Sequence, residues 1–262
     1  MRAAGEVRVR RDGATALVEV ANPARRNAMT FAMWGALAGA VAALDADPDV
    51  RAVVLAGEGE HFVSGADISE FDAIRDGAGA VAAYDRAVDR ATAALAGSAT
   101  PTLARIRGVC VGGGLALAMA CDLRIAADDA RFAIPAARLG IAYPPADVRR
   151  LVGLVGPAAA RDLLFTARAV GASEAAALGL VHRVVPAADL DAAAEEATAR
   201  LVAAAPLSIA ASRAAIAAAL PGAGEAEARA AAEAAARAAG SEDYAEGRRA
   251  FAEKREPVFR GR

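Results

Sequence analysis

Apolar and polar residues alternate through "EVRVRRDGATALVEV", and the rhythm of the chain then changes several times. Two alternating runs that meet at Asp12–Gly13 predict a β-hairpin. "ANPARRNAMT" breaks the alternation as a polar loop, and Thr30 can cap a helix running to about Asp45. The unbroken apolar run "VRAVVLAG" predicts a buried strand ending at Gly57. The polar loop "GEGEHFVSGADISEF" follows, then a helix from about Ala78 to Gly97. "TPTLARIRG" predicts a second buried strand, leading into a glycine run and a short apolar helix in "GVCVGGGLALAMACD". "DLRIAA" and "ARFAIP" are two further strands. Beyond Pro144 the period turns helical in "PPADVRRLVGLVG", "PAAARDLLFTA" and "ASEAAALGL", and "VHRVVP" is a last strand.

From Ala187 onward the chain is alanine-rich helix, broken at Pro206, Pro221–Gly222 and Gly240. That composition reports helix propensity and carries no chemistry. Strands alternating with helices, followed by helices alone, give an α/β core over residues 1–205 and a helical region over residues 206–262.

Composition narrows the function classes. The 262 residues are 56% hydrophobic, which excludes a disordered chain. The formal net charge of −2 leaves no basic surplus, so nucleic acid is not an expected partner. The uncharged apolar stretch led by the glycines is too short for a bilayer. The opening "MRAAGEVRVRRDG" lacks the apolar core of a signal peptide. A soluble, cytoplasmic protein without membrane contact is the expectation. Lys254 is the only lysine, so no phosphate-loop lysine follows the glycines. Leu117 stands where a dinucleotide fingerprint needs its third glycine. Cys110 and Cys121 lack metal-ligand spacing and read as buried thiols, and His61 and His182 lie too far apart to suggest a metal site. Ser64 has no evident base partner and reads as a loop serine. What remains is a backbone made bare at Gly112-Gly113-Gly114 just before a helix, as if the main chain itself must reach a ligand.

"HFVSGADISEF" followed by "GVCVGGGLALAMACDLRIAADDARFAIPAARLGIAY" resembles the crotonase (enoyl-CoA hydratase/isomerase) superfamily. "LLFTARAVGASEAAALGLVHRVVP" and "SEDYAEGRRAFAEKREPVFRG" extend the resemblance, in order, over nearly the whole chain. It implies a crotonase-type α/β spiral of strand-strand-helix repeats with a C-terminal helical trimerisation region, hence a homotrimer or hexamer. It implies an acyl-CoA thioester substrate, with coenzyme A as part of the substrate and no separate cofactor or metal. It also implies an enolate held on the thioester oxygen by two backbone N–H groups, which fall on Ala66 and Gly113. A helix N-terminus at Gly113 suits negative charge, and glycine admits a close approach.

The chain departs from the family's hydratases at two places. Their paired glutamates fall on Ala116 and Ala136, and a methyl group cannot move a proton. Decarboxylation of a malonyl-type thioester makes an enolate without proton abstraction and is the favoured reaction. "LGIAYPPAD" resembles the methylmalonyl-CoA decarboxylase branch, in which a tyrosine here, Tyr143, orients the carboxylate; packing on the acyl chain is the other role open to that ring. Where Ala66 stands, some members of that branch carry histidine. Asp147 is the nearest carboxylate, either an acid/base group or a favourable first-turn charge of the following helix. Arg138 reads as a surface or salt-bridging residue. For the CoA moiety the resemblance points to Arg25 and Arg26 in "PARRN" and to Asp67 and Ile68 in the oxyanion loop. It assigns Phe251 and Lys254 to a neighbouring subunit's CoA. Two other readings stay open: a hydratase or isomerase using Asp147 and Tyr143 as substitutes, and an acyl-CoA binder without catalysis.

Overall fold

A computed structural model describes residues 5–71 and 78–262. The chain forms two compact units, the first reaching Thr198 and the second comprising Ala199–Arg262. The division falls about two turns before the break at Pro206 suggested by the sequence.

The first unit opens with the expected hairpin, β1 (Glu6–Asp12) against β2 (Thr15–Ala21), antiparallel with Val9 opposite Val18. Helix α1 (Phe31–Asp45) starts where Thr30 Oγ1 accepts the Met33 N–H at 3.3 Å. There follow β3 (Ala52–Gly57), α2 (Ala78–Gly97), β4 (Thr102–Ile106), β5 (Val109–Val111), α3 (Gly113–Ala120), β6 (Leu123–Ala127) and β7 (Arg131–Ala133). Then come α4 (Ala136–Leu139), α5 (Pro145–Thr166), β8 (Val170–Gly171), α6 (Ala172–Ala177), β9 (Arg183–Val185) and α7 (Leu190–Ala203). Within α5 the chain kinks at Gly156, whose φ of 74° lies outside the helical region, so the two helical patterns expected there persist as two arms.

Six strands form one sheet in the order β1-β2-β3-β4-β6-β9, parallel from β2 onward. A second sheet, β5-β7-β8, pairs β5 and β7 in parallel, and an isolated parallel bridge adds Val63 beside Cys110 of β5. Successive turns of the chain therefore climb both sheets together. β3, Val63 and α2 make one turn; β4, β5 and α3 make the next; β6, β7 and α4 make a third. Both sheets are lined by fully buried side chains such as Leu55, Phe62, Ile106, Leu117 and Phe132.

β5, like α4 and β8, is an element that the hydrophobic pattern hid. Three residues between Gly108 and Gly112 are too few to show a period, and only pairing with β7 makes them a strand. The polar loop before α1 is fixed by the buried Asn27. Its side-chain amide donates to the carbonyls of Glu58 at 2.9 Å and His61 at 2.7 Å, which ties "PARRN" to the loop after β3.

The second unit contains α8 (Pro206–Ala219), α9 (Glu225–Ala239) and α10 (Glu242–Glu253), with breaks at the proline and glycine positions that the sequence marks. Ser241 caps α10 by accepting the Tyr244 N–H at 3.0 Å. Among the described residues no single helix is long and apolar enough to cross a membrane.

Candidate active site

The parallel bridge between Val63 and Cys110 determines what lies beyond it. Three residues on from each partner stand Ala66 and Gly113, brought side by side by the register. A methyl built on Gly113 would lie 4.0 Å from the Ala66 nitrogen, and one built on Gly65 would lie 3.8 Å from the Gly113 nitrogen. Each nitrogen is the unused end of a peptide that is otherwise engaged. Gly65 O accepts from Met29 N at 2.8 Å, and Gly112 O accepts from Ala116 N at 3.0 Å. Among the described residues neither the Ala66 nor the Gly113 N–H meets an acceptor. Both residues line a cavity of about 1030 Å³. Two adjacent free N–H groups, one of them at the N-terminus of α3, have the chemistry to receive an oxyanion.

The glycine run answers to this geometry. Gly112 has φ of 54°, a left-handed turn that brings the chain from β5 into α3. Gly114 runs so close to the preceding turn that a methyl there would sit 2.1 Å from Val63 O. The far end of α3 is closed by Arg124, which is buried and donates to the carbonyls of Ala118 at 3.2 Å, Cys121 at 2.6 Å and Leu180 at 3.0 Å.

Ala116 and Ala136, both buried, contribute only methyl groups to the cavity wall. Tyr143 and Asp147 line the same cavity. Asp147 is in the first turn of α5, its side chain 2% exposed, paired with Arg150 at 2.7 Å. Burial pushes its carboxyl above the ordinary value; Arg150 pulls the other way and Asp89 adds to the rise. Asp147 is thus a first-turn acid of α5 that is also buried, a setting that shifts a carboxyl's titration. Tyr143 is half-buried, and its hydroxyl donates to Gly112 O at 3.1 Å. To orient a substrate carboxylate, that hydroxyl would have to give up this bond. Burial, with Asp147 nearby, holds the phenol well above its usual pKa and so neutral.

Two aromatic residues of the wall have no precedent in the sequence reading. Trp34 on α1 is fully buried and donates through Nε1 to Tyr84 Oη on α2 at 3.0 Å. A lone tryptophan on a capped helix was the available signal, but its contact with Tyr84 depends on how α1 and α2 pack.

At the residues expected to meet CoA, the structure groups some and separates others. Arg25, Asp67 and Ile68 line the cavity; Arg26 does not. Arg25 is committed to Asp67, with distances of 2.5 and 2.8 Å, and to the Ser69 hydroxyl. Burial raises the Asp67 pKa, but the bonds from Ser69 and Arg25 outweigh it and keep the carboxylate ionised below its usual range. Ile68 is exposed at the start of the short helical turn that Asp67 caps, and Arg26 is an exposed residue with φ of 51°. Phe251 and Lys254 belong to the second unit. Phe251 is 87% exposed and, with Tyr244 and Phe259, lines a smaller cavity of about 550 Å³. Lys254 ends α10 with a left-handed backbone.

Ser64 lines the cavity but donates its hydroxyl to Arg25 O at 3.1 Å, a loop-stabilising bond. Arg138 is exposed in the last turn of α4. His61 and His182 accept backbone N–H groups through Nδ1, at 3.4 and 3.1 Å. The Cys110 and Cys121 thiols are free and buried, and burial pushes Cys121 up to about 12. Among the described residues no cluster could hold a metal ion.

Known proteins share this architecture. The sequence pattern of the enoyl-CoA hydratase/isomerase family matches residues 10–262. The "Probable enoyl-CoA hydratase echA8" of Mycobacterium tuberculosis is 35% identical over 254 residues, 96% of each chain. The carnitinyl-CoA dehydratase of Escherichia coli is 35% identical over 220 residues, 82% of this chain and 84% of that one. The solved structure of an enoyl-CoA hydratase/carnithine racemase from Magnetospirillum magneticum superposes with a TM-score of 0.91 at 37% identity, covering 98% of this chain and 96% of that one. With the fold, the paired amides and the matched sequence in agreement, the chain belongs to the enoyl-CoA hydratase/isomerase family of acyl-CoA enzymes.

Proposed function

We propose that this enzyme isomerises an enoyl-CoA thioester, with the thioester oxygen held by the N–H groups of Ala66 and Gly113 and with Asp147 moving the proton. The observation that carries the proposal is the burial of Asp147 in the wall of the cavity that holds both amides, with its pKa raised. A carboxylate at Asp147 takes a proton from the α-carbon of a 3-enoyl thioester. The electron pair left behind becomes the enolate, whose oxygen the two amides stabilise. The carboxyl then returns its proton to the γ-carbon, giving the 2-enoyl thioester. One acid suffices for this shift, whereas hydration needs a group to activate water and another to deliver a proton. Ala116 and Ala136 leave no glutamate for that second task.

Decarboxylation of a malonyl-type thioester is the second reading. The methyl groups at Ala116 and Ala136 favour it, since loss of CO₂ forms the enolate with no base at all. The bond between Tyr143 and Gly112 O counts against the tyrosine as the carboxylate-orienting group. Arg25, Asp67 and Ile68 at the cavity would face the CoA moiety, and Phe251 and Lys254 would serve the CoA of a neighbouring subunit in a homotrimer. The deciding assay offers 3-enoyl-, 2-enoyl- and malonyl-type CoA thioesters to wild type and Asp147→Asn, followed by mass spectrometry. Isomerisation lost in the variant supports the proposal. CO₂ release from a malonyl-type thioester, undiminished in the variant and without isomerisation, overturns it in favour of the second reading.

A further inference from the structure

Gly112 O and Gly113 N–H are the two ends of one planar peptide. Two donors fix the carbonyl of that peptide and leave its N–H free: Gly112 O accepts both Ala116 N at 3.0 Å and the Tyr143 hydroxyl at 3.1 Å. The preceding peptide is held as well, Gly112 N donating to Ala133 O at 2.9 Å. Donors placed on a carbonyl draw electron density through the amide and make its N–H a stronger donor in turn. The Ala66 peptide is built the same way, with Gly65 O accepting from Met29 N at 2.8 Å. Of the donors on the two carbonyls, the Tyr143 hydroxyl is the one that belongs to a side chain.

We propose that Tyr143 is a positioning residue of the thioester site, orienting and polarising the Gly112–Gly113 peptide so that the Gly113 N–H binds the thioester oxygen more strongly. The inference rests on Ala66 and Gly113 being the oxyanion donors. Tyr143 acts on the far side of that peptide and does not itself touch the reacting atoms. A donor of this kind is worth roughly a hundredfold to a thousandfold in rate, and a neighbouring hydrogen bond strengthens it by about 10–30%. Loss of the hydroxyl therefore lowers kcat by roughly twofold to eightfold, with KM little changed.

The test reads the thioester carbonyl directly. Propionyl-CoA labelled with ¹³C at the carbonyl is bound to the enzyme, and its C=O stretch is compared with that of the free thioester by difference infrared spectroscopy. Wild type is expected to lower the stretch, and Tyr143→Phe to lower it less, with the affinity for free CoA unchanged. Replacing Tyr143 by 3-fluorotyrosine keeps the ring and sharpens the donor, so it should lower the stretch further than wild type. If Tyr143→Phe does not fold, the fluorotyrosine protein decides alone. A stretch lowered equally whatever stands at position 143 overturns the role of Tyr143 and leaves the oxyanion assignment standing. A wild-type stretch identical to that of the free thioester overturns both.

Discussion

Val63 and Cys110 pair as a parallel bridge, and that single register places Ala66 and Gly113, each three residues onward, at the same point of one cavity. The candidate oxyanion donors are thus a consequence of strand pairing between successive turns of the spiral. No side chain has to be recruited to make them.

Ala66→Pro removes one of these N–H groups without breaking a ladder bond, because the bonds flanking Ala66 use Gly65 O and Asp67 N. The expected result is a loss of kcat by a factor on the order of 100 to 1000 in a protein with wild-type melting. Gly113→Pro should also abolish turnover. It is the harsher change, since a methyl at that position already lies 2.9 Å from the buried Trp34 ring. Near-native kcat in folded Ala66→Pro would remove Ala66 from the site.

Ala116 and Ala136 line the cavity, so longer side chains there have open space to enter. Wild type should hydrate crotonyl-CoA very poorly, and Ala116→Glu combined with Ala136→Glu should raise that rate by restoring two acids. Ordinary hydratase turnover by wild type would mean that other groups replace the pair.

The raised pKa of Asp147 has a signed effect on stability. Above the ordinary value of 3.8, the folded protein keeps a proton that the unfolded chain has released. The stabilisation from that retained proton is complete below 3.8 and is lost as pH rises through the raised folded value. Asp147→Asn cannot ionise, so its stability relative to wild type should rise across that window and level off above it. Urea unfolding at a series of pH values measures this, and a relative stability that falls with pH would contradict it.

Arg124 is buried, its guanidinium donating to three main-chain carbonyls: Ala118 and Cys121 at the end of α3, and Leu180 ahead of β9. Arg124→Ala leaves those carbonyls unsatisfied and should cost about 3 kcal/mol of stability. Denaturant titration is the check; a loss within error would show that water replaces the side chain.

The hairpin, the Thr30 cap and the buried strands were legible because each is a local pattern, and the "SGAD" and "GVCVGGG" segments carried the family. The sequence also marked Asp147 and Tyr143. Their environments depend on contacts that no local pattern encodes: the burial of Asp147 beside Arg150, and the hydroxyl of Tyr143 on Gly112 O, thirty-one positions away. β5 was too short to be read, and the Trp34–Tyr84 contact joins residues fifty positions apart. Such features arise from packing between turns of the spiral.

Deuterium incorporation at the α-carbon of a saturated acyl-CoA in D₂O tests the central claim most directly, because it reports enolate formation without any later step. Wild type incubated with butyryl-CoA should exchange α-protons, and Asp147→Asn should bind the same thioester with unchanged affinity yet exchange it at least tenfold more slowly, on the order expected for losing a general base. No exchange by wild type above the enzyme-free rate, or equal exchange by the variant, would contradict the account.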